Sequence, residues 1–201
     1  MDFANVPSLK IRRIVAALGR IEIAALARFG PEQSLTLTTH AIFGAAIAAV
    51  IPTHPYLAVS AAFVSHFLLD AIPHWDYPLR SSSMKPGVVA AMKFDGEVLA
   101  DIFTIGADAL LGLGLAVLLL ASADDWALIA CAAGAAILPD ALQFAYMRFP
   151  SEPLISLQRF HCWIHASRNL KGRPLLGLTA QMALVFLVLL IVRVLPHFDA
   201  L

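Results

Sequence analysis

Five long apolar runs limit what this chain can fold into. Each contains about 17 to 24 residues, enough for a helix rising 1.5 Å per residue to cross a hydrocarbon core of about 30 Å. Hydrophobic residues make up 60% of the chain and charged residues only 14%, fewer charges than a soluble domain usually carries. The sequence therefore predicts an all-α fold, a polytopic membrane helical bundle of about five transmembrane helices. The predicted spans are Leu35–Ile51, Tyr56–Ile72, Val98–Ala121, Trp126–Tyr146 and Leu175–Leu195.

Residues 1–34 form an N-terminal extension of a different character. Apolar side chains between Ile11 and Phe29 recur at helical spacing, while the arginines of this stretch lie off that stripe, a pattern typical of an amphipathic helix. Such a helix would lie in the plane of the membrane interface or pack on the protein's own loops, and the pattern favours neither. The sequence thus divides into an amphipathic extension, residues 1–34, and a transmembrane domain, residues 35–201.

Thirteen of the 14 lysines and arginines lie on one side of the predicted bundle, and the exception is Arg193 near the C-terminus. Five precede the first span, three lie between the second and third, and five lie between the fourth and fifth. The two short loops on the other side, residues 52–55 and 122–125, contain none. Because cytoplasmic loops are enriched in positive charge, the N-terminus is predicted to be cytoplasmic and the C-terminus outside. The basic residues form no stripe, so no nucleic acid is expected as a partner.

Histidine and aspartate gather at the cytoplasmic ends of these spans. A single histidine or carboxylate inside a membrane more often forms a hydrogen bond between helices than binds metal. Their accumulation on one face favours a metal site instead, as does the spacing of His66 and Asp70, which are four residues apart on one predicted helix. The candidate metal ligands are His40, His66, Asp70, His74 and Asp140.

The ligand types also narrow the choice of metal. Imidazole combined with carboxylate suits zinc, manganese or iron better than calcium or magnesium, which prefer shells of oxygen. Zinc is the first choice, with manganese or iron as alternatives. A bound ion would also neutralise several of the four carboxylates in or at the ends of apolar segments, which are Asp70, Asp101, Asp108 and Asp140. Asp108 lies about two turns deeper than Asp101, however, and could instead bond a neighbouring backbone or hydroxyl group.

Three short motifs resemble those of a known family. They are Thr39-His40-Ala41, the segment from His66 to Asp76 that contains His66-x-x-x-Asp70, and Leu138-Pro139-Asp140. Together they resemble the membrane-bound metal-dependent hydrolases of bacteria and archaea, a family that includes LexA-regulated inner-membrane members. The family's His-Arg-Gly-x-Thr-His-Ser segment has no counterpart here, and the stretch from His161 to His165 is the candidate replacement. The resemblance implies a divergent sister branch in a bacterial or archaeal cytoplasmic (inner) membrane.

The resemblance and the cluster together predict a cytoplasmic-facing metal site that hydrolyses an ester or phosphoester in a lipid-like substrate. Asp76 and His161 are the candidates for catalytic base or ligand-orienting group. His165, Arg80 and Arg168 are the candidates for substrate contact, since the arginines could hold an anionic head group. The alternative is a non-enzymatic subunit or assembly factor of a larger membrane complex, with a structural metal or a purely polar cluster.

Overall fold

α-Helices form all the regular structure in the residues that the computed structural model describes, which are 36–75, 79–81, 95–164 and 173–194. The predicted all-α fold is therefore confirmed. The predicted amphipathic helix of residues 1–34 lies outside this part of the chain. The six helices within it are α1 Leu37–Val50, α2 Pro55–Asp70, α3 Gly96–Leu120, α4 Trp126–Arg148, α5 Leu154–Ile164 and α6 Pro174–Val194.

Three of these helices, α3, α4 and α6, are long and apolar enough to cross a membrane, which indicates a membrane protein. The first two predicted spans coincide with α1 and α2, but these helices contain only 14 and 16 residues. At 1.5 Å per residue they are about 21 and 24 Å long, shorter than a hydrocarbon core of about 30 Å. The count of five spans therefore stays a prediction.

The short helix α1 lies at the centre of the bundle, packed against α2, α3, α4 and α6. Glycines permit this close packing, because a Cβ atom added at Gly44 would lie 2.6 Å from the carbonyl oxygen of Ala132 in α4. A Cβ atom added at Gly112 of α3 would lie 2.6 Å from Cα of Thr38 in α1. The backbone of α1 thus touches its neighbours with no side chain between them, as is common where membrane helices pack through small residues.

A carboxylate of α3 anchors the N-terminus of α1. Asp108 accepts hydrogen bonds from the backbone N–H groups of Leu37 at 2.7 Å and Thr38 at 3.3 Å, and from the Thr38 hydroxyl at 2.6 Å. The first N–H groups of a helix have no partner within the helix, and negative charge beside them is favourable. Of the two roles left open for Asp108, the structure shows the bonding to backbone and hydroxyl groups. This bonding fixes the first turn of α1, where His40 lies.

The region between the fourth and fifth predicted spans contains the amphipathic helix α5, which packs against α2 and α4. His161 and Cys162 are buried on its inner face, while Phe160 and Trp163 are exposed on the outer side. The Phe160 ring also contacts Phe67 of α2, with centroids 5.0 Å apart. An 11-residue helix is marginal alone in water, so this packing stabilises α5 and places His161 against α2.

Two buried polar side chains hold the chain that follows α2. Asp101 of α3 accepts hydrogen bonds from the backbone N–H of Arg80 at 2.9 Å and of the next residue at 2.8 Å. Gln181 of α6 donates to the backbone carbonyl of Trp75, and its amide oxygen accepts a hydrogen bond from the Thr36 hydroxyl at 3.1 Å. The long helices α3 and α6 are thereby bonded to the segments just before α1 and just after α2.

Candidate metal centre

Five side chains from four helices meet near the start of α1 and the end of α2. His40 comes from α1, His66 and Asp70 from α2, Asp140 from α4 and His161 from α5. Within the described residues their donor atoms form two groups of three, one with His40, His66 and Asp70 and the other with His66, Asp140 and His161. Each group could hold a metal ion, because imidazole nitrogen and carboxylate oxygen are the donors that transition metals bind.

Asp70 lies between the three histidines. Its Oδ1 atom is 3.2 Å from Nε2 of His40, and its Oδ2 atom is 3.1 Å from Nε2 of His66 and 2.7 Å from Nε2 of His161. His40, His66 and Asp70 are completely buried, and His161 is 2% exposed. A carboxylate this deeply buried costs several kcal/mol unless cations or protons neutralise it. The arrangement therefore favours positive charge between Asp70 and the surrounding rings.

A backbone carbonyl of α4 orients His66. The carbonyl of Ala136 accepts a hydrogen bond from Nδ1 of His66 at 2.8 Å. A neutral imidazole carries one proton, so this bond leaves the lone pair of Nε2 facing the cluster. A backbone carbonyl on the second ring nitrogen is typical of histidines that ligate metal.

Asp140 is the most open member of the cluster. Its Oδ1 atom lies 3.6 Å from Nε2 of His66, and its side chain is 17% exposed. Its other oxygen, Oδ2, is buried and has no hydrogen-bond partner. Asp140 thus faces the cluster on one side and leaves an edge through which water can approach.

Several buried donor atoms in the cluster have no hydrogen-bond partner. They include both ring nitrogens of His40 and the Oδ1 atom of Asp70. The Nε2 atom of His40 and this Oδ1 atom lie only 3.2 Å apart. Buried polar atoms in proteins nearly always have partners. A cation bound between Nε2 of His40 and Oδ1 of Asp70 would satisfy both of these atoms, whereas apolar packing could not.

The distances between donor atoms also fit shared coordination. Two ligands about 2.1 Å from one ion lie about 3.0 Å apart in octahedral and about 3.4 Å apart in tetrahedral geometry. The separations around Asp70 and His66 range from 2.7 to 3.6 Å, and the Nε2 atoms of His66 and His161 are 3.4 Å apart. The side chains therefore stand at ligand spacing without rearrangement of the helices.

The surroundings of His161 also favour positive charge. Burial by itself lowers the pKa of this ring, but the hydrogen bond to Asp70 and the negative charges of Asp140 and Asp70 outweigh it and raise the pKa above its usual value. The site thus stabilises a positive charge at the end of α5, the only one of these helices that is too short and too polar to enter the bilayer as a span.

The remaining predicted site residues lie elsewhere. His74 is buried, but its Nδ1 atom bonds the carbonyl of Ile72 at 2.6 Å, and the ring belongs to neither group of donors among the described residues. Arg80 is exposed, and the described bond that it makes uses its backbone N–H. Asp76, His165 and Arg168 fall outside the described residues, so their roles stay predictions.

Sequence reasoning missed two parts of this site. The carbonyl of Ala136 has no side-chain signature, although Pro139 three residues later signals a helix turn with altered bonding. The contact between Phe67 and His161, with ring centroids 5.5 Å apart, depends on α5 folding back onto α2. Only the apolar-polar periodicity of residues 154–164 could have indicated that helix.

Comparison with family models, with curated proteins and with solved structures found no match to this chain. The resemblance to membrane-bound metal-dependent hydrolases therefore stays a prediction. What the fold and the side chains establish is a helical membrane protein with a buried cluster of histidine and aspartate that could hold a metal ion.

Proposed function

We propose that this protein is a membrane-embedded, metal-dependent hydrolase that acts on an ester or phosphoester bond of a lipid-like substrate. One observation carries the proposal: the Nε2 lone pair of His66, fixed by the bond from Nδ1 to the Ala136 carbonyl at 2.8 Å, points toward two carboxylates and a second imidazole. Lone pairs that face one another repel unless a cation lies between them.

The ligand set suits a transition metal. His40, His66, Asp70, Asp140 and His161 supply three nitrogens and two carboxylates, a mixture that zinc, manganese and iron accept. Zinc is our first choice. When bound, such an ion polarises the scissile group and lowers the pKa of a coordinated water to about 7.

The open edge at Asp140 defines where the chemistry would occur. The other four side chains are at most 3% exposed, so they would hold and orient the metal, whereas the Asp140 side chain is 17% exposed and can meet water and substrate. A carboxylate at this edge is placed to accept a hydrogen bond from the attacking water.

The exposed apolar faces of the bundle support a lipid-like substrate. The outer faces of α3 and α6 carry exposed apolar side chains, such as Phe103 at 77% and Leu175 at 76%, which suit contact with acyl chains. The exposed side chain of Arg80 follows α2, where it could bind an anionic head group. We place the cluster on the cytoplasmic side of a bacterial or archaeal inner membrane, as the distribution of lysine and arginine favours.

A second function is favoured by the complete burial of three members of the cluster. His40, His66 and Asp70 have 0% exposure, as expected of a closed structural metal site. In that case the protein would be a non-enzymatic subunit or assembly factor of a larger membrane complex.

Metal analysis of the purified full-length protein tests the proposal. We expect stoichiometric transition metal in the wild type and its loss in His66→Ala and Asp70→Ala. His54→Ala is the matched control, because His54 is exposed and its Nδ1 atom bonds only to the neighbouring hydroxyl of Thr53 within the described contacts. A wild-type protein without metal, with cluster variants that fold like it, would refute the metal site.

Hydrolysis is measured separately, as release of phosphate or fatty acid from a panel of lipids with and without a chelator. We expect release that the chelator abolishes and that Asp140→Asn reduces. Bound metal without any release from the panel would favour the structural alternative. Release that a chelator leaves unchanged would contradict the mechanism.

A further inference from the structure

We infer that the cluster binds two metal ions bridged by the carboxylate of Asp70. This inference rests on the proposed function and adds the number of metal ions in the site. The two groups of donors share His66, yet a histidine Nε2 atom has one lone pair and binds one ion. The orientation of the rings decides how the donors are divided between ions.

The stacked rings of His40 and His66 are poorly oriented to bind the same ion. Their centroids are 4.2 Å apart and their planes differ by 27°. The lone pair of an imidazole nitrogen lies in the plane of its ring, so a metal ion lies in that plane, about 2.1 Å from the nitrogen. Two planes about 4 Å apart that are tilted by 27° meet only about 8 Å away, far beyond the length of a metal–nitrogen bond. His40 and His66 therefore point at two positions side by side.

His66 and His161, in contrast, converge on one position. Their planes are at 72° to each other, and their Nε2 atoms are 3.4 Å apart, the tetrahedral spacing of two ligands on one ion. Asp70 Oδ2 lies within 3.1 Å of both nitrogens, and Asp140 Oδ1 lies 3.6 Å from His66 Nε2. This first position thus has four protein donors.

The second position lies beside His40. Nε2 of His40 and Oδ1 of Asp70 are 3.2 Å apart, and neither atom has a hydrogen-bond partner. Because Oδ2 of the same carboxylate belongs to the first position, Asp70 would bridge the two ions through its two oxygens. A carboxylate that bridges two ions through its two oxygens is compatible with the 3.5–4 Å between ions in two-metal hydrolytic sites.

A bridged pair of ions narrows the substrate class within the proposed function. Two ions can stabilise the attacking and the leaving oxygen of an in-line displacement at phosphorus. Within the described residues the second position has two donors, while the first lies beside the open edge at Asp140, where a phosphoryl oxygen can approach. Phosphoesters are therefore the preferred substrates over carboxylic esters.

Manganese loading with electron paramagnetic resonance tests the inference on the full-length protein in lipid nanodiscs. After loading with Mn²⁺ and removal of free metal, we expect two ions per chain and the spectrum of an exchange-coupled pair. His40→Ala should retain one ion and give an uncoupled spectrum, while the control His54→Ala should retain two coupled ions. His40→Gln is measured as well, because it keeps more of the buried volume if His40→Ala does not fold.

The possible outcomes distinguish failure of the two-ion inference from failure of the proposed function. One ion per chain in the wild type, with no loss in the His40 variants, would overturn the bridged pair and leave a single-ion hydrolase intact. Two ions without magnetic coupling would also overturn it, since Asp70 could not then bridge them. No bound ion would refute the proposed function itself.

Discussion

One added methyl group at Gly44 tests whether the spacing between α1 and α4 sets the geometry of the metal centre. In Gly44→Ala the new Cβ atom would lie 2.6 Å from both the carbonyl oxygen of Ala132 and the Cβ atom of Ala136. Ordinary contacts of a Cβ atom begin at 3.4 Å, so the helices must separate by about 0.8 Å. Both obstructing atoms belong to the body of α4 rather than to flexible side chains, and the strain cannot be relieved by a rotamer change.

The expected cost follows from overpacking. Inserting a methyl group into a well-packed interior typically costs about 1–3 kcal/mol, while replacing a mid-helix glycine by alanine favours the helix by up to about 1 kcal/mol. Gly134→Ala isolates the second effect, because a Cβ atom at Gly134 meets nothing within 4 Å. We therefore expect Gly44→Ala to be less stable than Gly134→Ala by about 1–3 kcal/mol.

The metal centre should respond in parallel. A shift of 0.8 Å at Ala136 would lengthen its 2.8 Å hydrogen bond to His66 beyond bonding distance, so Gly44→Ala should retain less metal than Gly134→Ala. Unfolding in detergent, followed by circular dichroism, measures stability, and elemental analysis measures metal content. Equal stability and equal metal content in the two variants would refute the reasoning.

Three further substitutions test single contacts of the fold. Asp108→Ala removes the acceptor for the first turn of α1, where His40 lies, and should lower the free energy of unfolding by about 1–2 kcal/mol and the metal content with it; unchanged stability would show that this bonding does not hold α1. Phe160→Ala removes an aromatic contact worth about 0.5–1.5 kcal/mol and should weaken metal binding through His161, as measured by competition with a chelator, whereas Trp163→Ala, at a ring 74% exposed, should not. Gln181→Ala should destabilise the bundle by about 0.6–2 kcal/mol in the same unfolding assay, and an unchanged transition would show that α6 does not depend on this bond.

Much of the helical layout could be predicted from the sequence because it depends on local patterns. Apolar runs and prolines placed all five predicted spans on helices, with ends that differ by only a few residues. The lengths of α1 and α2 were the exception. Residues 51 and 71–72 are apolar and extend both predicted spans, but they precede Pro52 and Pro73 and lie in the non-helical segments that follow these helices.

The candidate site was predictable to the extent that topology alone brings its members together. His66 and Asp70 are one helical turn apart, and His40 and Asp140 come to the same end of the bundle as soon as the helices alternate in direction. The partners of Asp108 were not predictable, because its bond to Leu37 joins residues 71 positions apart. Such a contact depends on how closely α1 and α3 approach, which the glycine at position 112 permits but does not specify.

The short central helix also has a consequence for how the protein is made. α1 and its hairpin partner α2 leave the ribosome before α3, α4 and α6, yet α1 is surrounded by those later helices and is too short to span a bilayer alone. Its N-terminal N–H groups bond Asp108, a residue not yet synthesised when the hairpin emerges. The packing of α1 is therefore complete only after the later helices have been made. A chain that stops after α2 would have His40, His66 and Asp70 but would lack Asp108, which anchors α1, and the donors Asp140 and His161.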